Sequence, residues 1–328
     1  MLLFFHALRL AVGTIILFAG AGLLVRGSAS LARAFGVKAL VIGLTVVAYG
    51  TSAPELAVAT EATIRNAQPL VLGTIVGSCA LNISFILGLA VLIAPPVVDG
   101  RIIRREVPIL LGSAVALPVL LADGELSRIE GAFLLACAIA FTLITLFVAS
   151  REHMSDEDAE NAAAAENAGV SYGGRARAKA SRPIAIIQAV IGIALLVTGS
   201  HLFVVGARGV GGYYGVSERM LGVTVIAFGT ALPELIGTLI AAIRGQGSLA
   251  VGSVIGSNLL NVFLVLGIVA YLHPIHVGDR MHVIDLVGLV ALTLLAILFL
   301  RGSRRMTRVE GAIMILAYGG FLAAVAWL

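Results

Sequence analysis

Two apolar segments of this chain are each interrupted by a proline that is followed directly by a glutamate. Residues 50–56 read Gly-Thr-Ser-Ala-Pro-Glu-Leu, and residues 229–235 read Gly-Thr-Ala-Leu-Pro-Glu-Leu. A proline in a helix interior removes a backbone donor and costs about 3 kcal/mol. A charged side chain near the centre of a bilayer costs roughly another 2.5–3.5 kcal/mol. A chain that carries this combination twice must compensate the cost at both places.

The composition shows that most of the chain lies in a membrane. Of its 328 residues 59% are hydrophobic and 12% are charged, whereas a soluble domain carries roughly 25% charged residues. A helix needs about 20 apolar residues to cross a bilayer, and we predict an all-α polytopic membrane protein with ten transmembrane helices. Their predicted limits are 7–32, 39–64, 69–94, 105–122, 128–149, 184–212, 218–243, 248–272, 283–300 and 308–327.

The distribution of basic residues predicts the orientation. Sixteen of the 22 Lys and Arg residues fall in loops that face the cytoplasm if the N-terminus is outside, and basic loops stay inside. We therefore predict an integral plasma (inner) membrane protein with both termini outside. The polar stretch 150–182 is then a cytoplasmic linker, and its small, polar composition predicts that it is mobile.

The chain repeats itself with a shift of 179 residues. Nine of fifteen positions are identical between 42–56 and 221–235, and matches continue into the following span. We predict a first five-helix repeat at 1–149 and a second at 183–328. Because five is odd, the second repeat enters the membrane from the opposite side. Inverted repeats of this kind place a transport site near the membrane midplane, between broken helices.

The interrupted second span offers several oxygen atoms. We expect the proline to leave the carbonyls around Ala48 and Gly50 without helical partners, while Thr51 and Ser52 add hydroxyls and Glu55 adds charge. Ligands of this type suit a hard cation such as calcium or sodium, not zinc or copper. The seventh span repeats the arrangement with Ala227, Gly229, Thr230, Pro233 and Glu234.

The third and eighth spans supply further polar groups. Ser78 and Asn82 are four residues apart, as are Ser257 and Asn261, so each pair lies on one helix face. Glycines around them allow close helix packing. We expect this packing to bring each pair to the glutamate of the preceding span.

Other interpretations of the same residues are open at this point. A single proline in a membrane helix is often only a kink, but two copies at matching positions favour a site. The two carboxylates could form the acid–base pair of an intramembrane hydrolase, although the adjoining backbone breaks and hydroxyls favour a cation site. A cation channel is a third alternative. The inverted repeat favours alternating access over a channel. A Walker-type phosphate loop is absent from the sequence, so ATP-driven pumping has no support.

The paired motifs resemble those of the calcium:cation antiporter superfamily, and most of all its prokaryotic sodium/calcium exchangers. The resemblance covers the whole chain and implies the sodium/calcium exchanger fold. It implies a secondary antiporter, not an enzyme, that exchanges calcium for sodium through a shared midplane site. Calcium/proton antiport by the same glutamates is the alternative, although that branch usually has Gly-Asn-Ala before its glutamate. The implied ligands are Glu55 and Glu234, the hydroxyls of Thr51, Ser52, Ser78, Thr230 and Ser257, and the carbonyls of Ala48 and Ala227, with a polar role for Asn82 and Asn261.

The chain departs from the family pattern at three positions. Ala231 stands where family members often have Ser, and Asn261 where many have Asp. Cys79 replaces the usual Asn after Gly-Ser in the first repeat, while Asn258 keeps it in the second. The first two changes remove oxygens and bear on the number or identity of the coupling ions. The two glutamates still balance one calcium ion.

We expect calcium and the coupling cation to bind in turn at Glu55 and Glu234. The expected partners are these transported ions and the lipid bilayer, with no cofactor, nucleic acid or obligatory protein partner. Alternating access would come from the long first and sixth spans moving against the remaining core. Their glycines are compatible with sliding; they are Gly13, Gly20, Gly22, Gly27, Gly192, Gly199, Gly206 and Gly209.

Overall fold

The computed structural model of the chain describes residues 2–37, 39–64, 68–96, 100–151, 182–214, 227–276, 283–302 and 306–327. Apart from one short strand pair and the connecting turns, these residues are helical. The predicted linker at 150–182 lies outside the described residues except at its two ends. The first part of the predicted seventh span, 218–226, lies outside them as well.

The described residues of the first half form eight α-helical segments. They are α1 (Leu2–Phe35), α2 (Ala39–Ile42), α3 (Ala48–Thr51), α4 (Ala53–Ile64), α5 (Gln68–Ala80), α6 (Leu87–Ile93), α7 (Gly100–Leu120) and α8 (Arg128–Arg151). Two wider π-helical segments join some of them end to end. Gly43–Val47 connects α2 to α3, and Leu81–Ile86 connects α5 to α6.

The second half follows the same order as far as it is described. Its helices are α9 (Arg182–Tyr213), α10 (Ala227–Thr230), α11 (Leu232–Ile243), α12 (Gly247–Leu260), α13 (Leu266–Leu272), α14 (Val283–Gly302) and α15 (Arg308–Trp327). A π-helical segment, Asn261–Val265, connects α12 to α13.

Eight helical stretches in the described part of the chain are long and apolar enough to cross a membrane. The chain is therefore a helical integral membrane protein. The predicted fourth span corresponds to α7, which begins earlier, at Gly100, and is not among the eight. The predicted seventh span is described from Ala227 onward, where α11 forms a shorter apolar helix.

The buried centre of the protein is the packing of the second span against α12. A side chain on Gly256 would come within 2.7 Å of the Ala48 Cβ and 2.8 Å of the Leu44 backbone. A Cβ added to Gly43 or to Gly252 would likewise come within 2.6 Å of a backbone carbonyl oxygen on the facing helix. Small residues let helix backbones approach in this way, and here they bring the first motif beside Ser257.

The two long helices α1 and α9 pack against each other along their glycines. Added Cβ atoms on these glycines would come within 3 Å of the facing helix. The contacts join Gly13 to Gly199, Gly20 to Gly192, Gly27 to Ala189, and Gly206 to Leu10. These glycines therefore hold the two helices together, and our expectation that they form a surface sliding on the core is wrong. Gly22 is the exception, because it faces Arg244 outside the pair.

Helices α8 and α15 begin with the same capping arrangement. Glu130 accepts hydrogen bonds from the backbone N–H and the hydroxyl of Ser127, both at 2.7 Å. Glu310 accepts the equivalent bonds from Thr307 at 2.6 and 2.9 Å. Such a capping box satisfies donors at a helix N-terminus, so these two glutamates stabilise helix ends.

A short strand pair links the two halves. Strand β1 (Glu125–Leu126) precedes α8, and β2 (Ile275–His276) follows α13. They pair antiparallel, with Glu125 opposite His276 and Leu126 opposite Ile275. The sequence analysis did not predict this pair, because two-residue strands have too little pattern to recognise.

Candidate cation site between the two broken helices

Both proline motifs break their helix at the same place and in the same way. Helix α3 ends at Thr51 and α10 ends at Thr230, and one residue separates each from the next helix. That residue is Ser52 (φ −78°, ψ 0°) in the first motif and Ala231 (φ −82°, ψ −1°) in the second. These angles lie near the bridge region, which active-site residues often occupy. The predicted interruptions are therefore present.

The carbonyl groups near the breaks differ from the prediction. The Ala48 carbonyl is not left without a helical partner, because the Ser52 N–H donates to it at 3.0 Å. A carbonyl has two lone pairs, so this oxygen can still contact a cation. The Gly229 carbonyl accepts a short hydrogen bond from Ser200 on α9. The sequence analysis missed Ser200, since the matching position in the first repeat is Ala21 and carries no hydroxyl.

A hydroxyl pair joins the first motif to the second half of the chain. The Thr51 and Ser257 hydroxyl oxygens are 3.2 Å apart, and both residues are fully buried. Thr51 also donates to the Val47 carbonyl at 3.1 Å. Because a hydroxyl has one proton, Ser257 is then the donor to Thr51. The remaining lone pairs of both oxygens are available to a cation.

The two glutamates lie close together in the protein interior. Glu55 is 0% exposed and Glu234 is 1% exposed, and the two carboxylates are near enough to interact electrostatically. Each faces the threonine of the other motif: Thr230 is beside Glu55, and Thr51 is beside Glu234. None of the four carboxylate oxygens has a hydrogen bond of good geometry to the protein. The site thus holds two buried carboxylates, each with one threonine beside it and no hydrogen bond of good geometry to its oxygens.

The two predicted asparagines are also buried without partners. The amide nitrogen and oxygen of Asn82 and of Asn261 make no hydrogen bond within the protein. Both residues lie in π-helical segments, Asn82 near the start of Leu81–Ile86 and Asn261 at the first position of Asn261–Val265. π-Helical turns are frequent at functional sites. Asn261 additionally lies beside Cys79, which is itself near Glu55.

The remaining predicted ligands are placed as follows. Ser52 and Ser78 are buried, with the Ser52 hydroxyl unpartnered. Ala227 begins α10, and only its backbone is described. The described residues contain no group of three His, Cys, Asp or Glu side chains arranged to hold a metal. The donors near the glutamates are hydroxyl, amide and carbonyl oxygens, and this set suits a hard cation.

Buried polar atoms of this kind are costly unless something satisfies them. A buried unpaired donor or acceptor costs about 1–3 kcal/mol, and a charged one costs more. Two neighbouring carboxylates that are buried without a compensating positive charge carry the largest cost of this kind. The arrangement can bind a cation that supplies positive charge to both glutamates at once.

Comparisons with known proteins concern the chain as a whole. The sequence profile of the family described as "Sodium/calcium exchanger protein" matches residues 5–147 and 184–327. Sodium/calcium exchanger MaX1 of Methanosarcina acetivorans is 31% identical, over 97% of each chain. Inner membrane protein YrbG of Escherichia coli is 32% identical, over 97% of this chain and 96% of that protein.

The chain also resembles a solved structure over its whole length. The sodium-calcium exchanger NCX_Mj, in crystals soaked with 10 mM Na⁺ and no Ca²⁺, superposes with a TM-score of 0.83. The two sequences are 29% identical, and the match covers 98% of this chain and 99% of the other. The fold is therefore that of NCX_Mj.

Proposed function

Because the chain belongs to the sodium/calcium exchanger protein family, we propose that it is a secondary antiporter that exchanges calcium for sodium. Membership of this family makes it a membrane cation antiporter. The identity of the exchanged ions and the position of their site are proposed here. Both ions bind in turn at one midplane site that contains Glu55 and Glu234. No cofactor and no protein partner is required.

The observation that carries this proposal is the facing pair of glutamates. Each projects just after a helix break, is buried, and lies beside the threonine of the opposite motif. Together the carboxylates carry a charge of −2, which one calcium ion or two sodium ions neutralise. A site without a cation leaves both charges buried, and this is expensive in a low-dielectric interior. Transitions between the two membrane sides therefore require a loaded site, and this requirement enforces exchange.

The same proposal assigns ligand roles to the remaining polar groups. They are the hydroxyls of Thr51, Ser52, Ser78, Thr230 and Ser257, the carbonyls of Ala48 and Ala227, and the amides of Asn82 and Asn261. Ala231 and Asn261 provide fewer anionic and hydroxyl oxygens than the usual family residues. We expect this loss to affect sodium more than calcium, since several sodium ions need more ligands than one calcium ion.

We also propose that ten spans form two inverted repeats, 1–149 and 183–328, joined by a cytoplasmic linker at 150–182. Recurring contacts support the two-fold relation. Gly88 lies against Gly311, and the matching contact of the other half joins Gly267 to Gly131. The distribution of Lys and Arg among the loops supports, as part of this proposal, both termini outside in a plasma membrane.

Alternating access in this proposal is a movement of α1 and α9 as one unit. Their backbones are in contact along the shared glycines, so separating them would lose close packing over many residues. Arg244 fastens the unit to the core, because its guanidinium donates to the Gly22 carbonyl at 2.9 Å. The movement must break this bond.

The test is calcium uptake into proteoliposomes under imposed gradients. Vesicles loaded with sodium and diluted into sodium-free medium should accumulate radiolabelled calcium, and dissipating the sodium gradient should stop uptake. The measurement is repeated with a proton gradient and no sodium. Uptake that follows the proton gradient and ignores sodium would replace this proposal with calcium/proton antiport by the same glutamates.

A further inference from the structure

The break in the second motif is completed by a hydrogen bond from another helix. Pro233 has no N–H, so α11 cannot supply the usual helical hydrogen bond to the Gly229 carbonyl four residues earlier. The hydroxyl of Ser200 on α9 donates to this carbonyl instead, and Ser200 is only 4% exposed. The donor therefore belongs to the unit of α1 and α9 whose movement is proposed above.

Helix α9 also lies directly against the glycines of both motifs. A Cβ added to Gly229 would be 2.1 Å from the Val204 Cγ2 atom, and a Cβ added to Gly50 would be 2.4 Å from the Ile193 Cδ1 atom. Val204 lies one turn beyond Ser200, so both residues contact the same break. In the arrangement seen here, α9 thus covers the two breaks at two points along its length.

The sequence repeat predicts the opposite arrangement. When two halves form an inverted repeat, exchanging their conformations opens a midplane site to the other side of the membrane. With the shift of 179 residues, Val25 is the counterpart of Val204 and Ala21 is the counterpart of Ser200. The exchange therefore brings Val25 of α1 against Gly50 and Ala21 to the Gly50 carbonyl. Alanine has no hydroxyl to donate to that carbonyl.

We propose that Ser200 is a positioning residue that favours the present arrangement over the opposite one. Its hydrogen bond to Gly229 exists only while α9 covers the second break, and Ala21 cannot form the equivalent bond to Gly50 after the exchange. The two access states consequently differ by one buried hydrogen bond, and the resting transporter keeps α9 over both breaks. This inference rests on the proposed alternating access of the antiporter.

Two pairs of introduced cysteines report the two arrangements. A Cβ added to Gly229 would be 3.5 Å from the Val204 Cβ, a separation that a disulfide can bridge. Val204→Cys with Gly229→Cys should therefore cross-link in the present arrangement, and Val25→Cys with Gly50→Cys in the opposite one. Both pairs are made in a background without the two native cysteines. Oxidation is carried out in membranes of the expressing cells, where the natural ions are present.

The measured quantity is the rate of the second cross-link divided by that of the first. Ser200→Ala should raise this ratio by roughly threefold or more, as expected for the loss of one hydrogen bond. Ala21→Ser should shift it in the same direction, because it gives the opposite arrangement a donor. Thr198→Val is the matched control. Thr198 is exposed on the same helix and donates to the Ala194 carbonyl at 2.8 Å, so this variant should leave the ratio unchanged.

A ratio that Ser200→Ala leaves unchanged, or that Ala21→Ser shifts the other way, would overturn the inference. So would a Val25–Gly50 pair that never cross-links, because the opposite arrangement would then be absent. Calcium half-saturation in oriented vesicles is the second readout. In Ser200→Ala it should fall at one membrane face and not at the other, whereas equal changes at both faces would show a local defect and overturn the role in positioning.

The two readouts separate this inference from the proposed ions. Cross-linking is read without transport, so it does not depend on which ion is carried. A shifted ratio in a protein that does not exchange calcium for sodium would retain the role of Ser200 and reject the proposed function. Calcium–sodium exchange with a ratio that is indifferent to Ser200 would retain the function and reject the role of Ser200.

Discussion

The hydroxyl oxygens of Thr51 and Ser257, 206 residues apart in the chain, lie 3.2 Å from each other in the protein interior. One hydroxyl belongs to the break in the first motif, and the other belongs to the helix that follows the second motif. Gly256 makes the contact feasible, because any side chain there would collide with Ala48 and Leu44. The two halves therefore contribute to one site through direct side-chain contact.

Replacing Thr51 by valine should weaken calcium binding at least tenfold, or about 1.4 kcal/mol. Valine keeps the shape but removes the oxygen that faces Ser257 and Glu234. Thr63→Val is the matched control, because Thr63 is also buried and donates to its own helix at 2.7 Å, to the Ala59 carbonyl. The measurement is the calcium dissociation constant of each purified variant, compared with that of the unmodified protein. Equal losses in both variants would show a general effect of buried threonines.

Restoring a hydroxyl in the second motif should improve sodium binding. Ala231 occupies the break position that Ser52 occupies in the first motif, and the backbone angles of the two residues are nearly the same. Ala231→Ser should lower the sodium concentration that half-displaces calcium, and Ser52→Ala should raise it. Calcium affinity without sodium should change less in both variants. If neither variant changes sodium displacement, the break residues do not coordinate sodium.

Adding a methyl group between α1 and α9 should destabilise the protein. A Cβ on Gly192 would come within 2.5 Å of the Leu24 backbone nitrogen, and overpacking of this kind costs about 1–3 kcal/mol. Gly192→Ala should therefore lower the thermal unfolding temperature in detergent. Gly212→Ala on the same helix is the control, since nothing lies within 4 Å of the added atom. Equal unfolding temperatures for the two variants would contradict the close packing of the pair.

The sequence predicts the parts of this structure that depend on local chemistry. Proline after a glycine-containing run predicts a helix break, and the chain breaks at Ser52 and Ala231 as expected. The hydrogen bond from the Ser52 N–H to the Ala48 carbonyl was not predicted. The proline was expected to leave this carbonyl without a helical partner, but the interruption covers only one residue. The helix closes again one residue later.

Features that depend on packing between distant helices were not predictable. The glycines of α1 and α9 were recognised, but the sequence does not show which helix they face. Ser200 was not predicted, because the candidate residues were those that recur in both repeats and Ser200 corresponds to Ala21 in the first repeat. The π-helical segments around Asn82 and Asn261 could not be predicted from residue spacing. Each asparagine follows a serine by four residues, as it would on one face of an ordinary α-helix.

Equilibrium binding of radiolabelled calcium to the purified protein tests the shared glutamate site most directly. We predict one calcium bound per chain, competitive displacement by sodium, and loss of binding in Glu55→Gln and in Glu234→Gln. Glu310→Gln, which alters a glutamate of a helix cap, should bind calcium normally. Calcium that remains bound at saturating sodium, or that binds equally well to Glu55→Gln, would contradict a site shared by the two ions.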